Sequence, residues 1–270
     1  MLFAMLMRWM AISTALAAAL SAQTLPPKKG QVWSKDGKSA FGYKDTPVQP
    51  WSGFHVHDPD RPIPPKVDPA GPGGAPSDAI VLFDGADLSA WQPSTWKVEN
   101  GYAEVTEGAL VSKQEFGDCQ VHVEYRTPAP PEGEVMNRGN SGVNLMGIFE
   151  IQITDSYTVP LNPDGRAGAI YGQTPPMADA TRAPGEWQSY DIFFRAPRFE
   201  NGKLSENPRV TLVHNGVLAH FNQEIYGATG HRRLPQPIPA GLTKGPLLLG
   251  GHHNPVRFRN IWVREIGELH

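Results

Sequence analysis

Cysteine is almost missing from this chain. Cys119 is the only one in 270 residues, so no internal disulfide can form and stability must come from an ordinary packed core. Long apolar runs are missing too. The stretch from Met10 to Leu20 is too short and too rich in alanine for a membrane span, which needs about 20 apolar residues. Neither charge sign dominates: 24 Lys and Arg stand against 27 Asp and Glu, net −3, with no basic stripe. That argues against a nucleic-acid or membrane-surface partner. No segment sustains a 3.6-residue apolar period, so amphipathic helices are not expected. Neither a Gly-x-Ser-x-Gly elbow nor phosphate-loop glycine spacing occurs, which disfavours serine hydrolysis and nucleotide chemistry.

What is present falls into three parts. Arg8 is the only charge among the first 27 residues, and the short apolar run ends at Ser21-Ala22-Gln23. This reads as a secretory signal over residues 1–22, and it implies a periplasmic or secreted protein. Residues 23–76 are rich in Pro, Gly and Lys, as in Arg61-Pro62-Ile63-Pro64-Pro65. Proline at that density keeps out of sheet ladders, so the segment reads as an arm, with Trp33, Trp51 and Phe54 as expected docking points. Within it, His55-Val56-His57-Asp58 has metal-ligand spacing, but no third partner follows in sequence and a surface loop is the favoured reading.

From Ser77 to the end the pattern is all-β. Short apolar runs recur: Ala79–Phe83, Trp96–Val98, Tyr102–Val105, Ala109–Ser112, Cys119–Tyr125, Val143–Met146, Ile148–Ile153, Ser189–Arg195, Val210–His214, Val217–Asn222, Leu247–Leu249 and Val256–Val263. Turn pairs such as Asn100-Gly101, Asn201-Gly202 and Asn215-Gly216 punctuate them. Asn-Gly between two β-prone runs is a strong hairpin signal. Many strands without intervening helices predict two packed antiparallel sheets, a jelly-roll sandwich.

The stretch Met136 to Tyr157, MNRGNSGVNLMGIFEIQITDSY, organises this domain. A Gly-punctuated polar turn leads into two strand-like runs. Residues two apart share a face of a strand, so Glu150 and Gln152 point one way while Ile151 and Ile153 point the other. Asp155 is out of phase and joins the polar face only through a bulge. A solvated outer strand explains the same pattern. Elsewhere, Cys119 reads as a buried structural thiol and His122 as an outward strand residue. His214 and His220 read as exposed beside their hairpin turn. Trp91, Trp96, Trp187 and Trp262 are expected to pack in or between the sheets, and Arg257 and Arg259 to pair with carboxylates on an outer face.

Five ordered motifs resemble one family. They are Ile80 to Trp91 (IVLFDGADLSAW), Gly117 to Arg126 (GDCQVHVEYR), Asn140-Ser141-Gly142-Val143 with Glu150-Ile151-Gln152, Gly185 to Ile192 (GEWQSYDI) and Pro255 to Ile261 (PVRFRNI). Together they resemble the 3-keto-disaccharide hydrolase family, over about residues 77 to 266 of the 77–270 domain. The resemblance implies a concanavalin A-like jelly roll of the lectin and glucanase type. It also implies a carbohydrate substrate, a glycoside oxidised at C3. A ketone at C3 acidifies C2–H, so a base can form an enolate that expels the C1 substituent, and water then adds to the enone. Such a site needs a base, a partner for the enolate oxygen and an acid for the leaving oxygen. On this resemblance Glu150 is the expected base, with His252 and Asp155 as catalytic partners. Arg138, Asn140, Gln152 and Tyr171 are the expected sugar-binding residues. No cofactor is identified; a divalent metal stays open, without ligands to name. The chain departs from the family pattern at Ile148, where many relatives carry arginine, and at Gly250-Gly251, where many carry Gln-Asp. The spacing Glu150-x-Gln152-x-x-Asp155 is also similar to the catalytic strand of jelly-roll glucanases. A retaining glycosidase and a non-catalytic lectin-like module are therefore the alternatives.

Overall fold

The computed structural model describes residues 29–71 and 74–267; the expected signal segment lies outside them. The chain divides into two units, one reaching to Pro65 and the other running from Lys66.

The N-terminal unit is more ordered than its proline content suggested. Strands β1 (Gln31–Trp33) and β2 (Ala40–Tyr43) form a small antiparallel hairpin. Asp58 pairs with Lys44, and a His55 ring nitrogen contacts the Thr46 carbonyl. The His55–Asp58 segment is thus tied into local loop bonding. Trp51, an expected docking point, is 79% exposed.

All twelve strands read from the sequence of the second unit are present. They are β3 (Ile80–Phe83), β4 (Lys97–Glu99), β5 (Tyr102–Glu104), β6 (Leu110–Phe116), β7 (Cys119–Arg126), β8 (Ser141–Leu145), β9 (Phe149–Ile153) and β10 (Gln188–Arg195), followed by a short hairpin, β11 (Arg198–Glu200) and β12 (Lys203–Glu206), that the sequence reading missed. The chain closes with β13 (Arg209–His214), β14 (Val217–Glu224), β15 (Gly245–Leu249) and β16 (Arg257–Glu265). Every pairing is antiparallel. The large sheet runs β14-β13-β10-β7-β16-β5-β4, with β3 also on β16; the small sheet runs β6-β15-β8-β9. The architecture is the jelly-roll sandwich expected. Among the described residues no helix is long and apolar enough to cross a membrane.

Alternation builds the core between the sheets. On β7, Cys119, Val121, Val123 and Tyr125 are buried while Gln120, His122, Glu124 and Arg126 face outward. Each buried side chain of this size contributes roughly 1.5–3 kcal/mol. Phe149 of the small sheet meets Phe194 of the large one, ring centroids 5.9 Å apart. Burial pushes the Cys119 thiol up to about 12, so it is an inert core group. At the β13–β14 hairpin, Asn215 and Gly216 both have positive φ, the backbone that an Asn-Gly turn supplies.

The outward face of the large sheet carries ion pairs. Arg257 bonds Glu104 and Arg259 bonds Glu124, each at 2.6 Å, as expected. The Trp187 ring lies under Arg259 and Arg126. His122 faces outward but is sandwiched: it bonds Asp191 at 2.6 Å and stacks on Trp262.

Trp187, expected in or between the sheets, thus lies on the outward face, and the exposure expected of two histidines is overturned. His214 and His220 are buried, 0% and 1% exposed. His214 ends β13 and His220 lies on β14; both point inward, and each ring finds a partner there. His214 Nε2 contacts Gln188 Oε1 and the Tyr125 hydroxyl, and His220 Nε2 contacts the Gly168 carbonyl at 2.9 Å.

Candidate active site

Strands β8 and β9 pair in regular register, Asn144 opposite Glu150 and Gly142 opposite Gln152. No bulge intervenes, so Glu150, Gln152 and Thr154 keep one face while Ile151 and Ile153 stay in the core. That polar face is the floor of an open groove of about 1230 Å³.

Three segments from elsewhere in the chain wall it. Residues 168–171 lie along the free edge of β9: Gln152 N–H bonds the Ala169 carbonyl, and Tyr171 N–H bonds the Glu150 carbonyl at 3.0 Å. Residues 228–231 hang from the same strand, because the Thr229 hydroxyl accepts the Glu150 N–H at 2.9 Å. The segment after β15 brings His252 and His253. Asn254 braces it: the amide oxygen accepts the Gly139 N–H, and the amide nitrogen donates to the His252 carbonyl. Tyr171, His231, His252, His253 and Asn254 all line the groove.

Two glycines locate the Glu150 and His252 side chains on the floor, and Gly142 makes room for the first of them. A Cβ on Gly142 would stand 2.4 Å from Glu150 Oε1, and one on Gly250 would stand 3.6 Å from His252 Nε2. Gly250 N–H bonds the Gly142 carbonyl at 2.8 Å. The carboxylate and the imidazole therefore lie over neighbouring chain segments, whose backbones run about 5 Å apart. Gly251 has a separate reason: a Cβ there would stand 1.8 Å from the Gly108 carbonyl oxygen, so no side chain fits at this position.

Electrostatics single out Glu150. Among the described residues its carboxylate has no hydrogen-bond or ion-pair partner. It is largely enclosed, and desolvation raises its pKa from 4.5 to about 7. A carboxylate left unpaired in a dry place must lose some of its charge, and a group poised near neutrality suits proton transfer. The His252 pKa is lowered, first by partial enclosure and then by the neighbouring imidazoles of His253 and His231, so its neutral form dominates at pH 7. The Tyr171 pKa is raised by desolvation and by the Glu150 charge. Gln152 Oε1 is buried without a partner.

Of the residues the sequence singled out, the structure brings together Glu150, His252, Asn140, Gln152 and Tyr171 along the groove. Arg138 and Asp155 it places elsewhere. Asp155 is buried and bonds Arg138 Nε at 2.5 Å, and neither lines the groove. Without a bulge Asp155 turns off the floor, and its ion pair fixes the turn that leads into β8. His231, His253, Asn254 and Thr229 were missed. They sit in aperiodic loops, and only the long-range bonds to β9 and Gly139 reveal them. Among the described residues no group of three His, Cys, Asp or Glu is placed to hold a metal ion.

A family model described as 3-keto-alpha-glucoside-1,2-lyase-like domain matches residues 78–264. A solved structure from Parabacteroides distasonis ATCC 8503, provisionally named a glycosyl hydrolase, is 40% identical. It covers 82% of this chain and 100% of its own, with a TM-score of 0.74. A second structure from that organism with the same provisional name is 22% identical, with a TM-score of 0.52 over 70% of this chain and 99% of its own; it shows a shared fold. No curated protein sequence matches.

Proposed function

Because the chain belongs to the 3-keto-alpha-glucoside-1,2-lyase-like family, a glycoside-acting group, we propose that it cleaves 3-keto-glycosides by elimination across C1–C2 followed by hydration. The carrying observation is the lone Glu150 carboxylate on the groove floor, with a pKa raised to about 7. Glu150 takes the C2 proton. The electron pair left at C2 moves into the C2–C3 bond, and negative charge develops on the C3 oxygen. His252, neutral at pH 7 and over the adjacent Gly250, is the N–H donor to that oxygen; a donor aimed where charge develops is worth most in a partly dry site. Asn140, Asn144 and Gln152 line the same floor and serve the sugar hydroxyls. Water then adds at C1, and Glu150, its carboxyl proton exchanged with solvent in the open groove, protonates C2.

The geometry supports a retaining glycosidase less well. That mechanism needs a second carboxylate about 5–5.5 Å from the first. On this floor Gln152 and Thr154 follow Glu150, while Asp155 is held by Arg138. The proposed exported location, periplasmic or secreted, rests on the N-terminal sequence alone.

The test is direct. The protein is incubated in D2O with a 3-keto-glucoside and with the parent glucoside. Cleavage of only the keto form, with deuterium entering C2, supports the assignment. Cleavage of the parent glucoside, or binding without turnover of either sugar, overturns it.

A further inference from the structure

Elimination leaves one role unfilled, the proton for the departing C1 oxygen. Resting on the function proposed above, we infer that Tyr171 supplies that proton, with His231 as the positioning residue that holds its hydroxyl.

Tyr171 Oη and His231 Nδ1 are 2.7 Å apart, and the rings lie nearly parallel, 7° between planes with centroids 6.3 Å apart. The residues are 60 apart in sequence, yet each is anchored to one peptide unit or its neighbour. Tyr171 N–H bonds the Glu150 carbonyl, and Thr229, two residues before His231, bonds both the Glu150 N–H and the Ile148 carbonyl. The pair is thereby fixed relative to the base rather than to the groove rim. Both rings line the groove. His252 stands over Gly250, on the side of β8 away from β9. Base and donor to the ketone thus occupy the floor, and the phenol stands at the wall beyond β9. A sugar lying over β8 and β9 would direct its C1 substituent toward that wall.

The proton count closes. The C2 proton goes to Glu150. As the C1–O bond breaks, the phenol O–H passes its proton to the leaving oxygen, which departs as an alcohol. The phenolate then takes a proton from the water that adds at C1, while Glu150 protonates C2, so both groups end the cycle as they began it. With its O–H turned to the leaving oxygen, Tyr171 Oη accepts from His231, which assigns the Nδ1–H tautomer to that ring. Tyr171 must therefore enter each cycle protonated, which the raised pKa supports.

Leaving-group dependence tests the assignment. Rates are measured for 3-keto-glucosides carrying a 4-nitrophenyl or a simple alkyl aglycone. Nitrophenolate leaves without a proton; an alkoxide does not. Tyr171→Phe and His231→Ala should each lose about 10²- to 10³-fold in kcat/KM on the alkyl substrate, and at least tenfold less on the nitrophenyl one. His231→Asn, whose amide N–H can still donate to Oη, should recover much of the alkyl rate. Equal losses on both aglycones, or none on either, would overturn the assignment while leaving the elimination reading intact. Failure of the unaltered protein to cleave either keto-glucoside would instead overturn that reading, and this inference with it.

Discussion

The Glu150 carboxylate fills the space that a side chain on Gly142 would need: a Cβ on Gly142 would stand 2.4 Å from Glu150 Oε1. The glycine is thus part of the site, because it lets an otherwise solvated strand residue lie down on its neighbour, lose water and keep its proton up to about pH 7.

Gly142→Ala should therefore displace the carboxylate without unfolding the sheet. Turnover is expected to fall at least 10²-fold, with the thermal midpoint moving by only a few degrees. Gly251→Ala is the contrast, since its Cβ would meet the Gly108 carbonyl oxygen at 1.8 Å. That variant should lose stability, about 2 kcal/mol or more, through overpacking. Parallel melting curves and rate assays separate the two outcomes.

Glu150→Gln should abolish C2 proton abstraction, with a loss of about 10²- to 10⁴-fold. In the unaltered protein kcat/KM should rise with pH and level off above an apparent pKa near 7, as the base ionises. A rate limb near pH 4.5, the ordinary value for a glutamate, would show that the carboxylate is hydrated during turnover.

The same residue predicts a stability gain. A carboxyl whose folded pKa is raised favours folding while protonated, and this contribution is lost as pH rises from 4.5 through about 7. Above pH 7 the buried charge costs about 2 kcal/mol, once the water of the groove is allowed for. Glu150→Gln should accordingly be more stable than the unaltered protein at pH 8 and close to it at pH 4.5. Denaturant titrations at the two pH values check this.

His214 works in the opposite direction. Desolvation lowers its pKa to about 4, the Asp179 charge opposing and the Arg182 charge adding to the effect. The fold holds the ring neutral, so its contribution is complete above pH 6.5 and is lost as pH falls through about 4. Across that window it offsets the slope from Glu150. In the Glu150→Gln background, stability should therefore fall more steeply between pH 6.5 and 4 than in the unaltered protein.

Removing the His252 ring tests its donor role. His252→Ala should lower kcat by 10²- to 10³-fold, the cost of one donor to a developing oxyanion. The pH limb set by Glu150 should remain. If that limb disappears in His252→Ala, the imidazole rather than the carboxylate is the titrating base.

The fold was legible because its signal is local. Alternation over β7 and β9 and the Asn215-Gly216 turn need only neighbouring residues to be read, and every apolar run assigned as a strand became one. Glu150 was legible for the same reason: period two fixes which side of β9 it faces. Asp155 shows where that stops. Its phase ruled it off the floor unless a bulge occurred, and whether one occurs depends on the pairing with β8. His214 and His220 read as exposed because they stand beside a turn, yet Gln188, Tyr125 and Gly168 meet them from distant segments.

By itself the sequence determined a two-sheet antiparallel domain and a polar central strand carrying one well-placed carboxylate, since strand propensity, turn chemistry and side-chain alternation act over a few residues. Only the tertiary structure decided what that carboxylate meets. It withdrew Arg138 and Asp155 into a pair of their own, laid Glu150 across Gly142, and brought His252, Tyr171 and His231 to the same groove. Those are convergences of loops up to about a hundred residues apart, set by sheet order and packing, for which local patterns hold no record.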